Sequence, residues 1–388
     1  MKRNLTSLPG LIATFTLVAF FFAFTPTASA QNNDGEDLEE FLQGLSEDAA
    51  TKYVAPIVTA FGMNLNGGWF HKVPSSKIFG LNIEVGVVGM GTFYPDDPEY
   101  LSFDTRGGFQ FSASQAADII TDISLDPTLE PFRAQIEADL IDAITGREIT
   151  VGISGATVIG DPEDYIEIEF AGEDIVIDNP LYGAPGEPAT ITISVPSDVT
   201  TLEIGGFKAI SDLSFLPLIA SQLSVGTVFG TRATFRYLPS ITIDEDIGKF
   251  EYFGFGIQHN PGVLLPTPLP VDVAVGFFTQ TLKVGTLFEA TTTAFGLNAS
   301  KRLGLGPLNI TPYAGFMLEK SNIDITYDFI LDEGTIDEQV IPIAFKLEGE
   351  NKSRLTLGLS VRLLIFNFNA DYNIGKYNSV TVGVMFTI

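Results

Sequence analysis

The sequence predicts an all-β protein, an antiparallel transmembrane β-barrel of about 10–14 strands carrying an acidic α+β insert. Three observations lead there. The C-terminal third alternates apolar and polar residues with a period of two over several consecutive segments. Beyond an N-terminal export leader, no uninterrupted apolar stretch reaches the roughly 18 residues a helical span needs. Yet 45% of the 388 residues are hydrophobic, with 32 Phe and 38 Gly. An exported chain this apolar, without a helical span, can meet lipid only through strands whose backbone is paired in a closed ring.

Residues 1–30 read as a secretory signal peptide. Lys2 and Arg3 supply the positive start, Leu11 to Phe24 form an uncharged apolar run, and Ala28-Ser29-Ala30 fits cleavage after Ala30. The absence of Cys excludes lipoprotein anchoring, disulfides, a thiol nucleophile and a thiolate metal site. Residues 31–52 form an acidic leader containing Asp34, Glu36, Asp37, Glu39 and Glu40, with a short helix expected at Leu38–Leu45. It reads as a solvated tail, with a plug in the barrel mouth as the alternative. The net charge of −27 sets nucleic acid aside as a partner, because phosphate neutralisation needs Lys and Arg.

Residues 53–94 read as the first barrel strands. Val54 to Leu65 is the expected first strand, Asn66-Gly67-Gly68 the turn, and Trp69 with Phe70 the aromatic girdle at a membrane interface. A second strand follows, with Phe79, Leu81, Ile83, Val85 and Val87 facing one way and Gly80, Asn82, Glu84, Gly86 and Val88 the other.

Residues 95–220 change character. Between Ala117 and Thr200 the only basic residues are Arg133 and Arg147. Ala116 to Leu125 and Pro131 to Ile144 look helical, and Ile149 to Val158, Tyr165 to Phe170 and Thr190 to Val195 look like short strands. This stretch is expected to be a polar, acidic, non-membrane subdomain.

Residues 221–388 form the main barrel. Leu223, Val225, Phe229, Ala233, Phe235 and Tyr237 lie opposite Gln222, Ser224, Gly226, Arg232, Thr234 and Arg236, read as one strand. Further strands are expected at Lys249–His259, Val271–Gln280, Leu282–Lys301, Leu308–Tyr327 and Ile341–Leu347. Then Leu355, Leu357, Leu359, Val361 and Leu363 alternate with Arg354, Thr356, Gly358, Ser360 and Arg362. Leu364, Phe366, Phe368, Ala370, Tyr372 and Ile374 alternate with Asn367, Asn369, Asp371 and Asn373. Val380, Val382, Val384, Phe386 and Ile388 close the chain.

These rows fit two arrangements. A soluble sandwich would bury the aliphatic rows in its core, whereas a barrel turns them to lipid and the polar rows to its lumen. In a barrel, Tyr237, Tyr372 and Phe386 would join Trp69 and Phe70 at the membrane interfaces. Arg232, Arg236, Arg354, Arg362, Asn367, Asn369, Asp371 and Asn373 would line the lumen, either pairing with one another or forming a polar path. Loops at 240–248 and 331–339 fall outside when strands are counted back from a periplasmic C-terminus. The same count puts the insert on the periplasmic side, a placement that one further strand would reverse, so its side stays open.

Hydrophobic residues at the last, third-last and fifth-last positions resemble the C-terminal insertion signal of bacterial outer-membrane barrels, although Ile388 replaces the usual terminal aromatic. That resemblance implies recognition by the barrel-assembly machinery. The strings QLSVGTVFGTRATFRYLP, FGFGIQHN and LPVDVAVGFFTQ within Gln222–Gln280 resemble an uncharacterised group of such barrels. FGMNLNGGWFHK and ADYNIGKYNSVTVGVMF extend the resemblance, which touches little of the insert. The group is distantly similar to long-chain fatty-acid transporter barrels, and this implies passage of a hydrophobic or small polar solute.

No catalytic chemistry is apparent in the residues. The two histidines, His71 and His259, lie far apart and near turns, and no G-x-S-x-G is present. Asp244-Glu245-Asp246 lacks the spacing and central Gly of a calcium loop. No cofactor or metal site is therefore expected. Three functions compete: passive transport or a channel, a structural or interaction barrel that serves as a scaffold or secretion partner, and a soluble secreted β-rich binding protein. The first two imply the lipid bilayer as a partner and a bacterial outer-membrane location, and the first adds a hydrophobic ligand.

Overall fold

The computed structural model describes residues 47–109, 111–202, 205–206, 213–244, 248–267, 269–285, 288–331 and 339–387. The signal peptide, the expected helix at Leu38–Leu45, the tips of the loops at 240–248 and 331–339, and Ile388 lie outside the described residues.

The first element is a helix, α1 (Glu47–Asn66), where the sequence reading expected the first strand. Val54, Ile57, Val58 and Thr59 are β-branched and favour strands, and a run of a dozen apolar residues does not separate strand from buried helix. The deciding factor is the surroundings. Thr59 to Asn66 are buried on every side of the helix, and a helix enclosed all round needs no amphipathic stripe.

Two compact units follow from the chain's contacts: the barrel, with Ile57–Pro95 and Leu213–Ile388, and the insert, with Asp96–Asp212 and, among the described residues, Glu47–Pro56. In chain order the elements are β1 (Phe79–Phe93), α2 (Pro98–Leu101), β2 (Ser102–Phe109), α3 (Ala113–Ile119), α4 (Arg133–Thr145), β3 (Ile149–Ala156), β4 (Ile166–Phe170), β5 (Glu173–Asp178), β6 (Thr190–Val195) and β7 (Asp198–Leu202). The barrel resumes with β8 (Phe215–Val228), β9 (Thr231–Asp244), β10 (Gly248–His259), β11 (Asp272–Val284), β12 (Phe288–Ser300), β13 (Leu303–Leu305), β14 (Leu308–Leu331), β15 (Gln339–Glu348), β16 (Ser353–Leu363), β17 (Phe366–Ile374) and β18 (Asn378–Thr387).

Among the described residues, ten strands close a ring in the order β1, β8, β9, β10, β11, β12, β14, β16, β17, β18 and back to β1. All neighbours are antiparallel. The short β13 pairs with the start of β14, and β15 pairs with its far half. Closure removes free sheet edges, as the hydrocarbon layer requires. The aliphatic rows point outward: Leu357 is 51% exposed, and Leu359, Phe368, Val382 and Phe386 are exposed likewise. Their partners Thr356, Ser360, Asn367, Asn373 and Thr381 are buried inside the ring. A dry core between two sheets, as in a soluble sandwich, is not what these rows form.

One turn resolves the position of the insert. The stretch read as a single strand, Leu223–Tyr237, is two strands joined at Phe229 and Gly230, whose φ values are 49° and 70°. Two consecutive positive φ angles make the tight turn whose twist matches a hairpin. Phe229 gave no warning of it, because a bulky residue rarely adopts this conformation. The added strand reverses the count. β1 pairs with β18 from Glu84↔Thr387 to Thr92↔Ser379, and with β8 up to Phe93↔Phe215. The insert therefore leaves and rejoins the barrel at the end opposite Thr387.

In the insert, β2, β3, β4 and β7 form an antiparallel sheet and β5 pairs with β6 as a separate hairpin. Its core includes Ile136, Leu140 and Ile144 of α4, and Ile153, Ile166 and Ile168 of the sheet. Phe111 packs edge-on against both Phe109 and Phe170. Tyr53 donates from its hydroxyl to Gly205 O at 3.0 Å, and burial raises its phenol above the ordinary range. α3 is capped by Ser112 and Gln115 in a reciprocal capping box. The helix expected at Pro131–Ile144 occurs here as α4 and the three expected strands as β3, β4 and β6, whereas α3 overlaps the helix expected at Ala116–Leu125 only over Ala116–Ile119 and the chain turns after it.

The outward placement of the leucine row has a direct test. Leu357→Arg puts a charge on the lipid face in mid-strand and should destabilise the folded protein in vesicles by about 2–4 kcal/mol, read from guanidinium unfolding. Thr201→Arg, on an exposed insert position, should change stability by less than about 0.5 kcal/mol.

Candidate functional site: a lumen closed by the chain itself

The interior of the ring is occupied by residues 57–74, the second half of α1 and the segment after it, whereas Ser75, Lys77 and Ile78 are exposed on the way to β1. α1 ends inside the barrel, which poses a specific problem: the last carbonyls of a helix have no partner within it. Each is met here. Met63 O accepts from Arg354 Nη1 at 3.3 Å and Asn66 O accepts from Arg354 Nη2. Leu65 O accepts from Arg236 Nη1 and from Trp69 Nε1, both at 3.3 Å. Asn64 O accepts the Gly67 amide at 3.0 Å, and Gly67 O accepts from Arg236 Nη2 at 2.7 Å. Two guanidinium groups at the negative end of a helix are also favoured by its dipole.

The two arginines are held from the wall side as well. Arg354 forms an ion pair with Glu319 at 2.7 Å, and Asn351 donates to the other carboxylate oxygen at 2.7 Å. Arg236 donates through Nε to Gln222 at 3.0 Å, and its guanidinium lies 4.1 Å above the Trp69 ring. Asn64 ties the helix to the wall directly, donating to Leu216 O at 2.7 Å and accepting from Thr92 at 2.8 Å.

Below the arginines sits an aromatic layer. Phe278 stacks on Trp69 at 5.3 Å and on Phe70 at 6.1 Å, and Phe70 meets Tyr313 edge-on at 6.1 Å. Wall glycines make the room. A Cβ on Gly254 would stand 2.7 Å from the Trp69 ring, and one on Gly315 would stand 2.4 Å from Phe70. Tyr313 in turn donates to Asp371 at 2.8 Å, and Asn373 donates to the second Asp371 oxygen at 2.7 Å.

A third layer lies toward the end where the chain terminates. Glu84, 1% exposed, receives Lys72 and Arg232, and stands 3.3 Å from His71 Nε2 and 3.2 Å from Thr387 Oγ1. Val73 and Pro74 are anchored by Ser300 and Asn260.

The expected lumen residues are thus largely where the alternation put them. Arg232, Arg236, Arg354, Asn367, Asn369, Asp371 and Asn373 are all buried inside the ring. Their partners differ in kind. Arg236 and Arg354 hold the helix end and Arg232 serves the Glu84 cluster, whereas Asn367 pairs with Ser360 at 2.8 Å and Asn373 with Thr356 at 2.6 Å within the wall. Arg362 stands apart at the mouth, half-buried, donating to Leu364 O. Trp69 and Phe70 correct the girdle expectation: at 2% and 6% exposure they are inside, not at a lipid interface. Tyr237, Tyr372 and Phe386 do face outward.

Glu84, Gln222, Glu319 and Tyr313 were not singled out by sequence reasoning, though each falls on an inward row. The readable signals were an isolated Glu on a lumen row and glycines at 254, 256 and 315 on that same face, which mark a close approach from inside.

Removing one partner of a buried pair should be costly. Arg354→Met leaves Glu319 unpaired and should destabilise the barrel by about 3–5 kcal/mol. Adding Glu319→Gln should recover most of that loss, measured by denaturant unfolding of both variants in vesicles.

Solved structures resemble this chain only at low similarity. OmpT, an outer membrane protein of Vibrio cholerae, in its trimer form, is 11% identical over 80% of this chain and 99% of its own, with a TM-score of 0.23. The outer membrane channel DcaP of Acinetobacter baumannii is 8% identical over 80% and 97%, with a TM-score of 0.17. The FrpB iron transporter of Neisseria meningitidis is 11% identical over 79% and 56%, with a TM-score of 0.17. The barrel itself rests on the strand pairing, not on these likenesses. No curated protein matches the sequence. Over residues 8–388 the chain belongs to a family of unknown function, DUF6588.

Proposed function

We propose that this chain is an outer-membrane barrel that works as a closed scaffold, carrying its acidic insert on the external face and exchanging no solute at rest. The carrying observation is the bonding of Arg236 and Arg354 to the backbone carbonyls of the plug. An open pore would point such side chains into water. Here they end a buried helix. With the C-terminal end of the ring toward the periplasm, as is general for such barrels, the insert stands outside. Export by the signal peptide, insertion through the final strand by the assembly machinery, and a role without catalysis belong to the same proposal.

A second reading, passage of a hydrophobic or small polar solute, has one observation in its favour. The end of α1 is held by hydrogen bonds from side chains, which water can replace when the segment moves. Planar-bilayer recording separates the two readings. The scaffold reading expects no steady conductance from the wild type and measurable conductance from the Arg236→Ala/Arg354→Ala double variant. Steady wild-type conductance, or solute uptake into liposomes carrying the wild type, would refute it in favour of transport.

A further inference from the structure

The chain has 48 acidic and 21 basic residues, yet the end of the barrel nearest Thr387 reverses that balance. Among the described residues, Lys72, Lys77, Arg232, Lys301, Arg302 and Arg362 gather there against two carboxylates, Glu84 and Asp272. In a protein with more than twice as many acids as bases, this concentration is not a by-product of composition.

The geometry brings four of these cations around one mouth. Lys72 and Arg232 both bind Glu84, so one buried carboxylate already serves two cations. Arg362 lies on the inward row of β16, opposite Asn309 on one side and the buried Asn367 on the other. Arg302 projects from the turn between β12 and β13. Asn309 pairs with Arg362 on one side and with Gly304, two residues beyond Arg302, on the other, so both arginines stand at one end of the wall, the end where the Lys72 side chain stays 21% exposed. Among the described residues, neither arginine forms an ion pair; Arg362 donates to Leu364 O at 3.0 Å and Arg302 to Gly306 O. Asp272 is engaged by Asn260 at 3.2 Å.

Like charges held together at one mouth repel one another. Neutral donors would satisfy the two turn carbonyls equally well. The arrangement becomes favourable when an anion supplies the missing negative charge, and the planar fork of arginine suits a tetrahedral or carboxylate oxyanion. We propose that the mouth at the C-terminal end of the barrel binds a phosphate-bearing group between Lys72, Arg302 and Arg362. The group comes either from a soluble phosphate or from the headgroup of an anionic phospholipid in the adjoining leaflet. This inference does not depend on the plug staying in place or moving, so it stands or falls separately from the closed-scaffold reading.

The test uses the intact chain with two probes. Inorganic phosphate is titrated calorimetrically into the detergent-solubilised protein, and phosphatidylglycerol retention is followed by native mass spectrometry from mixed phosphatidylglycerol–phosphatidylcholine nanodiscs. The Arg302→Gln/Arg362→Gln variant removes two charges that carry no described ion pair, and Lys352→Gln removes one at the opposite end. The expected result is binding weakened about tenfold or more in the double variant, the scale of one lost charge-assisted hydrogen bond, and unchanged in Lys352→Gln. A loss confined to inorganic phosphate identifies a soluble source, and a loss confined to phosphatidylglycerol identifies a lipid headgroup. Absence of binding to both probes overturns the proposal, as does equal binding by the wild type and the double variant.

Discussion

The structure depends on how the end of α1 is satisfied inside the ring. A helix that stops in a lumen leaves carbonyls pointing at a space where water is scarce, and an unmet buried carbonyl costs about 1–3 kcal/mol. Arg236 and Arg354 meet them with donors that reach from two different walls. Their own charges are balanced in different ways: Arg354 by Glu319, and Arg236 by Gln222, the Trp69 face and the helix end itself. Helix and wall are thus each incomplete without the other.

That mutual need changes what kind of object the barrel is. In an open channel the inner rows are solvated and the wall alone must be stable. In this ring the inner rows form a protein core, with Trp69, Phe70, Phe278, Ala294, Tyr313 and Met317 packed as one cluster. Glycines on the lumen face set its shape, because Gly254 and Gly315 leave space that no larger side chain could share with the plug. Folding of the wall and docking of residues 57–74 are therefore expected to be coupled, since aromatic burial is a large share of the favourable energy.

The barrel mouth nearest Thr387 gathers cations around Lys72 in a chain that is acidic as a whole. Such a local excess attracts anions that approach this mouth, an effect strongest at low ionic strength.

Much of this was legible in the residues, and the reason is geometric. The two-residue period of a strand assigns each side chain to a face whatever the neighbouring strands do. It follows that Leu357 on one face and Asn373, Arg232, Arg236 and Arg354 on the opposite face could be read directly, as could α4, β3, β4 and β6 of the insert, whereas closure of the ring decided which face is buried. Three features could not. Ile57 to Leu65 became helix because the closed ring surrounds them, and local propensity cannot report an enclosure made by strands a hundred or more residues away. The hairpin at Phe229 required a conformation that sequence statistics disfavour at that residue. Trp69 and Phe70 look the same beside a lipid interface or inside a lumen, because an aromatic pair next to a turn suits both, and only closure of the ring around them decided which surface they meet.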